Sequence, residues 1–330
     1  MNILLTGATG FIGQSLVTKL LKLNNVVTAL VREKSSTLTK DVKQITGVDF
    51  NKLSEKSSIN SFEIELKQSL KDVDVVVHLA ARVHVMADNS NDPLAEFRAV
   101  NCDATLLLAQ LAADAGVKRF VFISSVKVNG EMTELKKPFK PEDQHVPKDP
   151  YGLSKYEAEQ GLLALAKETG MEVVVIRPPL VYGPGVRANF VSMMKWIYKG
   201  VPLPFGAISN QRSLVALDNL VGFIIHCLSH PKAANEVFLI SDGEDVSTTE
   251  LLQKVSKSLD TKPWLIPFPV NWMIFTARLI GKKDLANRLF SSLQVDSSKA
   301  TDLLGWKPVI TMDEQLKKTA DAYLANEKTF

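Results

Sequence analysis

Hydrophobic positions along the first half of the chain follow two alternating patterns. Short β-branched runs, such as NILLTG at 2–7 and VVTALVR at 26–32, are typical of strands. A segment with helical spacing, GQSLVTKLLKL at 13–23, separates them. VDVVVHLAA at 73–81 is largely apolar, as a strand buried on both faces of a sheet should be. Strands that alternate with helices predict an α/β fold with a doubly wound parallel sheet.

The same alternation continues further along the chain. RFVFISS at 119–125, EVVVIRP at 172–178 and NEVFLIS at 235–241 predict three more strands. We expect helices over 101–116, ending at Gly116, and over the segment after Asp149. Asp149 is the expected N-cap of that second helix, Pro150 fits its first turn, and Gly170 follows its end.

The amino-acid composition changes after Pro178, where proline and glycine cluster. The chain returns to the sheet pattern over 209–241 and then becomes helical. We therefore predict a sheet domain of residues 1–178 and 209–241, and a smaller, mostly helical domain of 179–208 and 242–330. Ligands of such sheets bind in the crevice at the carboxyl ends of the strands.

Composition and charge exclude several classes of protein. The 330 residues are 45% hydrophobic and carry a net charge of +3 with both signs interspersed, which does not favour nucleic-acid binding. The cysteines, Cys102 and Cys227, lack metal-ligand spacing, so we expect buried thiols and no metal. The N-terminus lacks the features of a secretory signal, which favours a cytoplasmic location.

No apolar run reaches the roughly 18–20 residues that a membrane span requires. FPVNWMIFTARLIG at 268–281 comes closest, but it is shorter and carries Arg278. We expect this segment to be a helix packed on the smaller domain, with a helix on a membrane surface as the alternative.

Three glycines stand between the first strand and the first helix. In TGATGFIG, Gly7 would permit the tight turn and Gly10 would let backbone approach a pyrophosphate. Gly13 would let helix and strand pack closely, and the helix N-terminus would face the phosphates. We expect the loop, with Phe11 and Ile12, to bind a dinucleotide.

The end of the second strand bears on the choice of dinucleotide. NAD sites usually carry a carboxylate here, whereas an arginine accommodates the 2′-phosphate of NADP. Arg32 occupies this turn and favours NADP(H), while Glu33 just beyond it keeps NAD(H) open. Asp49 is a candidate for binding the adenine amino group.

YGLSK places Tyr151 and Lys155 four residues apart, on one face of the predicted helix. An unperturbed tyrosine has a pKa near 10, too high for easy proton exchange at neutral pH. A neighbouring ammonium stabilises the phenolate, so the two residues can form an acid/base pair.

Taken together, these motifs resemble those of the extended short-chain dehydrogenases/reductases in the nucleotide-sugar epimerase/dehydratase superfamily. Further matching stretches lie along the whole chain: VVHLAA at 76–81, VNCDAT at 100–105, ISS at 123–125, RPPLVYGPG at 177–185 and DSSKATDLLGWKP at 296–308. The resemblance implies a Rossmann fold for the sheet domain, nucleotide-sugar binding by the smaller domain, and a homodimer formed through paired helices.

The resemblance also implies roles for single residues. Tyr151 would be the catalytic acid/base, Lys155 would hold the nicotinamide ribose, and Ser125 would bond the reacting oxygen of the sugar. Ser124 would be structural or a cofactor contact. The other residues implied to border the cofactor are Leu79, Ala80, Ala81, Asn101 and Pro178.

For the substrate, the resemblance implies a UDP-sugar. Asn189 and Arg212 match positions that grip the diphosphate and base, and arginine suits phosphate because its planar fork bonds two oxygens. Phe205 would pack against the uracil. His84 and Arg82 could line the sugar pocket, whereas His78 reads as a strand histidine satisfied by hydrogen bonds.

Two departures from the family pattern narrow the reaction. Leu180 stands where many epimerases and dehydratases have asparagine. Val126 and Lys127 replace the acidic pair of 4,6-dehydratases, and neither side chain is suited to protonating a leaving hydroxyl and removing a C5 proton. Dehydration is therefore not expected.

Two reactions at C4 remain. The main expectation is reduction of a UDP-4-keto-6-deoxy-N-acetylhexosamine, which forms UDP-N-acetylquinovosamine. The alternative is a UDP-hexose 4-epimerase with tightly bound NAD⁺. A regulatory protein that only senses the dinucleotide would not need Tyr151 and Lys155, and both are present.

Overall fold

A computed structural model describes residues 1–52, 64, 66–83, 92–279, 281 and 289–327. Within these ranges, seven strands form one parallel sheet in the order β3-β2-β1-β4-β5-β6-β9. The strands are β1 (Asn2–Thr6), β2 (Val26–Leu30), β3 (Lys43–Ile45), β4 (Val75–His78), β5 (Arg119–Ile123), β6 (Glu172–Arg177) and β9 (Glu236–Leu239). The order reverses between β1 and β4, which opens a ligand crevice at their carboxyl ends.

The central strands are buried on both faces because helices cover each side. Along β5, Phe120 and Phe122 face one layer of apolar residues, while Val121 and Ile123 face the other. The first layer contains helices α3 (Ala104–Asp114) and α4 (Pro150–Thr169). The second contains helices α1 (Phe11–Lys22), α6 (Leu217–Cys227) and α9 (Ser298–Leu304). This is the doubly wound α/β fold that the sequence predicts.

A second, three-stranded sheet lies outside the large one. It has the order β10-β8-β7, with strands β7 (Leu180–Tyr182), β8 (Arg212–Ala216) and β10 (Asp245–Val246). Its own apolar core includes helices α5 (Asn189–Tyr198), α7 (Thr248–Ser258) and α10 (Met312–Glu327). Two further helices within the described ranges are α2 (Pro93–Arg98) and α8 (Val270–Leu279). The exact domain boundaries stay a prediction.

Helix α4 begins and ends where the sequence indicates. The Asp149 carboxylate accepts a hydrogen bond from the Gly152 amide at 3.0 Å, and Pro150 occupies the first turn. Gly170 ends the helix with a φ of +76°, a conformation that glycine adopts without strain. These signals fix the start of the helix at Pro150, one residue before Tyr151.

The segment between α2 and α3 departs from the expected continuous helix. Residues Ala99–Asp103 form a wider π-helical turn, which holds one more residue per turn than the α-helix on either side. Asn101 lies within this turn and is fully buried.

Helix α8 forms where the sequence predicts one, and only part of its apolar surface is covered. Met273 is buried, whereas Trp272, Phe275 and Leu279 are exposed. Among the described residues, no helix is both long and apolar enough to cross a membrane.

Candidate active site

The glycine loop lies at the carboxyl end of β1, beside the point where the strand order reverses. Gly7 has a φ of +69°, and a Cβ there would come within 2.9 Å of the Ala80 amide nitrogen. A Cβ at Gly13 would collide with the carbonyl oxygen of Gly7. Gly10 is the N-cap of helix α1, and its lack of a side chain leaves the backbone amides at the helix N-terminus uncovered on that side. This surface fits a pyrophosphate.

Phe11 and Ile12 begin helix α1 and pack partly against the core beneath the loop. The packing of these two side chains on the core fixes the position of the loop. A dinucleotide would meet their backbone at the helix N-terminus, while its contacts with these two residues stay a prediction.

The loop after β4 forms the opposite wall of the crevice. The Leu79 amide donates to the Thr6 carbonyl oxygen at 3.4 Å, and the Ala80 amide donates to the Thr6 hydroxyl at 3.1 Å. Ala81 continues this wall. The predicted cofactor-binding residues of the two loops therefore lie together.

Asn101 holds the second loop in place. Its Oδ1 accepts a hydrogen bond from the Arg82 amide at 2.8 Å. Its Nδ2 donates to the Arg82 carbonyl oxygen at 3.1 Å and to the Ser154 hydroxyl at 3.0 Å. The amide thus ties the loop to helix α4, so Asn101 acts on the crevice through the loop. A direct cofactor contact stays a prediction.

His78 is a structural histidine, as its position in a buried strand indicates. Nδ1 lies 2.8 Å from the Thr6 hydroxyl and Nε2 lies 2.9 Å from the Thr105 hydroxyl. Burial, with a smaller effect of the Lys155 charge, lowers the pKa of His78 to about 3. The ring is neutral at physiological pH and is no acid catalyst.

Tyr151 and Ser125 face each other at the carboxyl end of β5. Burial raises the pKa of the Tyr151 phenol to about 12, a hydrogen bond with the Ser125 side chain lowers it, and the Asp149 charge raises it. The edge of the ring packs against Phe97, with 6.0 Å between ring centroids. Ser125 also accepts a hydrogen bond from the Lys127 amide at 3.2 Å.

Lys155 is one turn further along α4 and is only 1% exposed. Its Nζ donates to the Ile123 carbonyl oxygen at 3.0 Å and lies 4.4 Å from the centroid of the Phe122 ring. Burial lowers the pKa of this ammonium to about 7, although Glu159 raises it. Tyr151 and Lys155 therefore both have shifted pKa values, as acid/base groups in a cleft often do.

Ser124 precedes the catalytic candidate Ser125 and differs from it. Its hydroxyl is buried, and no residue of the described ranges hydrogen-bonds to it. A buried hydroxyl without a partner is costly, so a ligand at the carboxyl end of β5 would satisfy it. This supports a cofactor contact at Ser124.

Arg32 and Asp49 line the same open cavity beyond β2, with a volume of about 690 Å³. Thr9 of the glycine loop lines it too, so the cavity continues the pyrophosphate surface. The other lining residues are Val31, Glu33, Lys34, Ser35, Ser36 and Gly47. Sequence reasoning missed Lys34, Ser35 and Ser36, although a lysine and two hydroxyls directly after Arg32 were a usable signal.

Val126 and Lys127 have unlike environments. Val126 is buried, and its amide donates to the Pro178 carbonyl oxygen at 3.0 Å. This bond holds Pro178, a predicted cofactor neighbour, beside β5.

The Nζ of Lys127 lies 3.2 Å from Asp149 Oδ1 and 3.3 Å from Glu131 Oε1. This link was not foreseen from the sequence.

The predicted substrate-binding residues lie on separate elements of the smaller unit. Asn189 is exposed at the start of α5, and Phe205 is half-buried in the loop before β8. Arg212 begins β8 and donates through Nη1 to the Ser291 carbonyl oxygen at 3.1 Å, while burial lowers its pKa. Leu180 is exposed in β7. His84 lies outside the described residues. The substrate roles of these residues stay predictions.

The sequence profile of the NAD dependent epimerase/dehydratase family matches residues 3–241. A UDP-glucose 4-epimerase from Vibrio cholerae is 50% identical over 325 residues, covering 98% of this chain and 95% of the relative. The structure of a UDP-glucose 4-epimerase from Thermotoga maritima with UDP-glucose is similar, with a TM-score of 0.76, 25% identity, and coverage of 99% and 100% of the two chains.

The fold is also that of a UDP-glucuronic acid 4-epimerase from Bacillus cereus in complex with NAD, with a TM-score of 0.76 at 23% identity over 98% and 99% of the two chains. The matched profile spans the glycine loop, Ser125, Tyr151 and Lys155. Since half of all residues are also shared with one relative along nearly the whole chain, this protein belongs to the NAD dependent epimerase/dehydratase family of enzymes.

Proposed function

We propose that this enzyme is a UDP-sugar 4-epimerase that inverts C4 of a UDP-hexose or UDP-N-acetylhexosamine with NAD⁺. The observation that carries the proposal is the grouping of Ser125, Tyr151 and Lys155 at the carboxyl end of β5, beside the glycine loop. The 50% identity to a UDP-glucose 4-epimerase supports it. The proposal reverses the preference drawn from the sequence, where reduction came first.

In the proposed reaction, the phenolate of Tyr151 takes the proton of the C4 hydroxyl, and Ser125 orients the oxygen through a hydrogen bond. NAD⁺ held at the glycine loop would supply reversible hydride transfer at C4, which allows inversion when the hydride comes back on the other face of the ring. Lys155 would hold the nicotinamide ribose, and its positive charge would stabilise the phenolate. Tyr151 then returns the proton to the new alkoxide.

The residues next to Ser125 support oxidation and reduction at C4 over dehydration. A dehydratase needs one group to protonate the leaving hydroxyl and another to remove the C5 proton. Val126 carries no proton to give, and Lys127 is held in ion pairs with Asp149 and Glu131. The Asp149 carboxylate also caps helix α4, which keeps it from serving as a free base.

The test is an assay without added cofactor. The purified protein is incubated with UDP-glucose and, separately, with UDP-N-acetylglucosamine, and the products are separated from their C4 epimers. Cofactor is released from a parallel sample by denaturation and identified. Bound NAD⁺ and a mixture of epimers are expected. Absence of epimerisation for both sugars, in a protein that still binds NAD⁺, would contradict the proposal.

A second candidate function is the reduction of a UDP-4-keto-6-deoxy-N-acetylhexosamine by NADPH. The observation that favours it is the cavity beyond β2, which is lined by Arg32, Lys34, Ser35 and Ser36. Two cations and two hydroxyls suit the 2′-phosphate of NADP(H), and a reductase needs a cofactor that exchanges at every turnover.

Cofactor binding and consumption separate the two candidates. For the reductase, NADPH should be oxidised when the 4-keto sugar is added, and Arg32→Gln/Lys34→Gln should weaken NADPH binding at least about tenfold, since a charge-assisted bond contributes about 1.5–3 kcal/mol. NADH binding should be unchanged. Lys199→Gln, at an exposed position on another element, is the control. Equal affinity for NADPH in wild type and the double variant would remove this argument for a reductase.

We also propose that Arg212 and Asn189 bind the diphosphate and base of the UDP group, with Phe205 against the uracil. The similarity to an epimerase structure that holds UDP-glucose supports this assignment. Arg212→Leu should raise the KM for UDP-sugar far more than it lowers kcat, because it removes binding remote from the reacting carbon.

A further inference from the structure

Helix α8 presents an apolar stripe to solvent. Trp272, Phe275 and Leu279 are 61%, 55% and 71% exposed, whereas Met273 is 9% exposed. The spacing of three and then four residues places the three exposed side chains on one face. The rings of Trp272 and Phe275 contact each other with 6.4 Å between centroids, so they form one surface.

The segment that leads into α8 continues this exposure. Trp264, Ile266 and Phe268 are all exposed, and Leu265 between them packs on the core of the smaller unit. The alternation is that of an extended chain, in which every second side chain points to the same side. We call the six exposed residues the aromatic face: Trp264, Ile266, Phe268, Trp272, Phe275 and Leu279.

Backbone hydrogen bonds hold the first part of this face rigidly on the protein. The Leu203 amide donates to the Trp264 carbonyl oxygen at 2.8 Å, and the Ile266 amide donates to the Leu203 carbonyl oxygen at 2.8 Å. The Gly206 amide donates to the Ile266 carbonyl oxygen at 3.0 Å. The exposure is therefore built into the fold.

The segment 261–279, which carries the aromatic face, contains Lys262 and Arg278 and no aspartate or glutamate, and Asp260 directly precedes it. Lys262 and Arg278 are exposed. Arg278 follows Phe275 by three residues and so flanks the apolar stripe. An apolar face with cations at its edge complements a surface that is apolar inside and anionic outside.

We propose that the aromatic face binds the surface of an anionic phospholipid bilayer. Tryptophan and phenylalanine rings enter the boundary between headgroups and acyl chains, and arginine reaches lipid phosphates from its apolar stem. A ten-residue helix is too short to span the bilayer, so α8 would lie in the plane of the interface.

The charge pattern argues against a second copy of this chain as the occupant. Two copies meeting through this face would bring like charges together, including both Arg278 side chains, and such a juxtaposition is unfavourable. The proposal does not rest on the proposed reaction, because no residue of the aromatic face belongs to the crevice that holds Tyr151 and Lys155.

The experiment is co-sedimentation of the full chain with phosphatidylcholine vesicles, with and without phosphatidylglycerol. We expect binding to the anionic vesicles only, and weaker binding when NaCl is raised from about 0.1 M to about 1 M, which shortens the Debye length from about 10 to about 3 Å. Trp272→Ser/Phe275→Ser should lower the partition coefficient at least about tenfold, since both rings lose their apolar burial.

Arg278→Gln should weaken binding and reduce its salt dependence. Leu23→Ser/Val26→Ser is the matched control, because it removes two exposed apolar side chains elsewhere on the surface. Thermal unfolding and turnover of a water-soluble UDP-sugar show whether each variant is folded. The proposal is overturned if wild type stays in the supernatant, if both double variants bind alike, or if Trp272→Ser/Phe275→Ser turns a dimer into a monomer.

Discussion

The Nζ of Lys127 lies 3.2 Å from Oδ1 of Asp149, the carboxylate that caps the helix carrying Tyr151. The Lys127 amide also donates a hydrogen bond to the Ser125 hydroxyl, so one residue contacts both Ser125 and the start of the helix that carries Tyr151. Because the Asp149 charge raises the pKa of Tyr151, a cation paired with Asp149 counteracts that effect.

Replacing Lys127 tests this relationship. In Lys127→Met, Asp149 loses its paired charge, so the pKa of Tyr151 should rise further. In the proposed reaction the Tyr151 phenolate is the proton acceptor, so the ascending limb of the kcat profile should move to higher pH. Near pH 7 kcat should fall roughly threefold to tenfold, since one pKa unit is a tenfold change in the phenolate fraction. Lys127→Arg should retain the wild-type profile. A kcat loss without a shift in pH would contradict the charge effect.

Removal of the Tyr151 hydroxyl should abolish turnover while leaving the cofactor site intact. Tyr151→Phe keeps the ring packed on Phe97, so we expect kcat to fall about 10²–10⁴-fold with little change in the dissociation constant for dinucleotide. Tyr156→Phe, on the same helix, is the control. Retained activity in Tyr151→Phe would make the acid/base assignment wrong.

The buried ammonium of Lys155 should make stability depend on pH. Its pKa is about 7 in the folded, cofactor-free protein and near 10.5 in the unfolded chain, so the unfolded state binds more protons between these values. The free energy of unfolding therefore rises with pH above about 7, and the full cost of the buried charge applies below it.

Lys155→Met removes that cost, on the order of a few kcal/mol. The cofactor-free variant should melt above wild type near pH 6, and the difference in Tm should shrink as the pH approaches 9. Lys199→Met, at an exposed site, should show no such trend. A difference that stays constant with pH would show that burial does not lower the pKa of Lys155, because the folded and unfolded states would then bind the same number of protons.

Two helical glycines should respond in opposite ways to alanine. At Gly13 a Cβ collides with the Gly7 carbonyl, so Gly13→Ala should destabilise the protein and weaken dinucleotide binding. At Gly222 in α6 the nearest atoms to a Cβ lie 3.5 Å away, so Gly222→Ala should stabilise by about 0.5–1 kcal/mol. Urea unfolding of both variants measures this contrast, and a neutral Gly13→Ala would contradict the close approach of α1.

The sequence predicted the parts of the fold that depend on local pattern. The buried strands are continuous apolar runs, the glycine loop has a fixed spacing, and the cap of α4 needs only Asp149, Pro150 and Gly170. Each strand, the glycine loop and each end of a helix is signalled by a few neighbouring residues. The alternation of elements then sufficed for a doubly wound sheet.

Contacts between segments distant in sequence could not be predicted in the same way. The bond between Lys127 and Asp149 spans 22 positions, and its formation depends on how the intervening loop folds. Apolar spacing in 270–279 predicted a helix correctly, but it did not say which face the neighbouring segments would cover. The structure buries Met273 and leaves Trp272, Phe275 and Leu279 exposed, a distribution that the sequence did not predict.

The π-helical turn at Ala99–Asp103 rotates helix α2 about its axis relative to helix α3, compared with a continuous α-helix. Each residue of an α-helix turns by about 100°, so deleting one residue from this turn would restore a regular helix and rotate everything before it by that angle. Arg98 would then lose its paired bonds to Glu157, at 2.8 and 2.6 Å, and Asn101 would leave the loop at Arg82. A single surplus residue thus sets the angular alignment between the wall of the crevice and the helix that carries Tyr151 and Lys155.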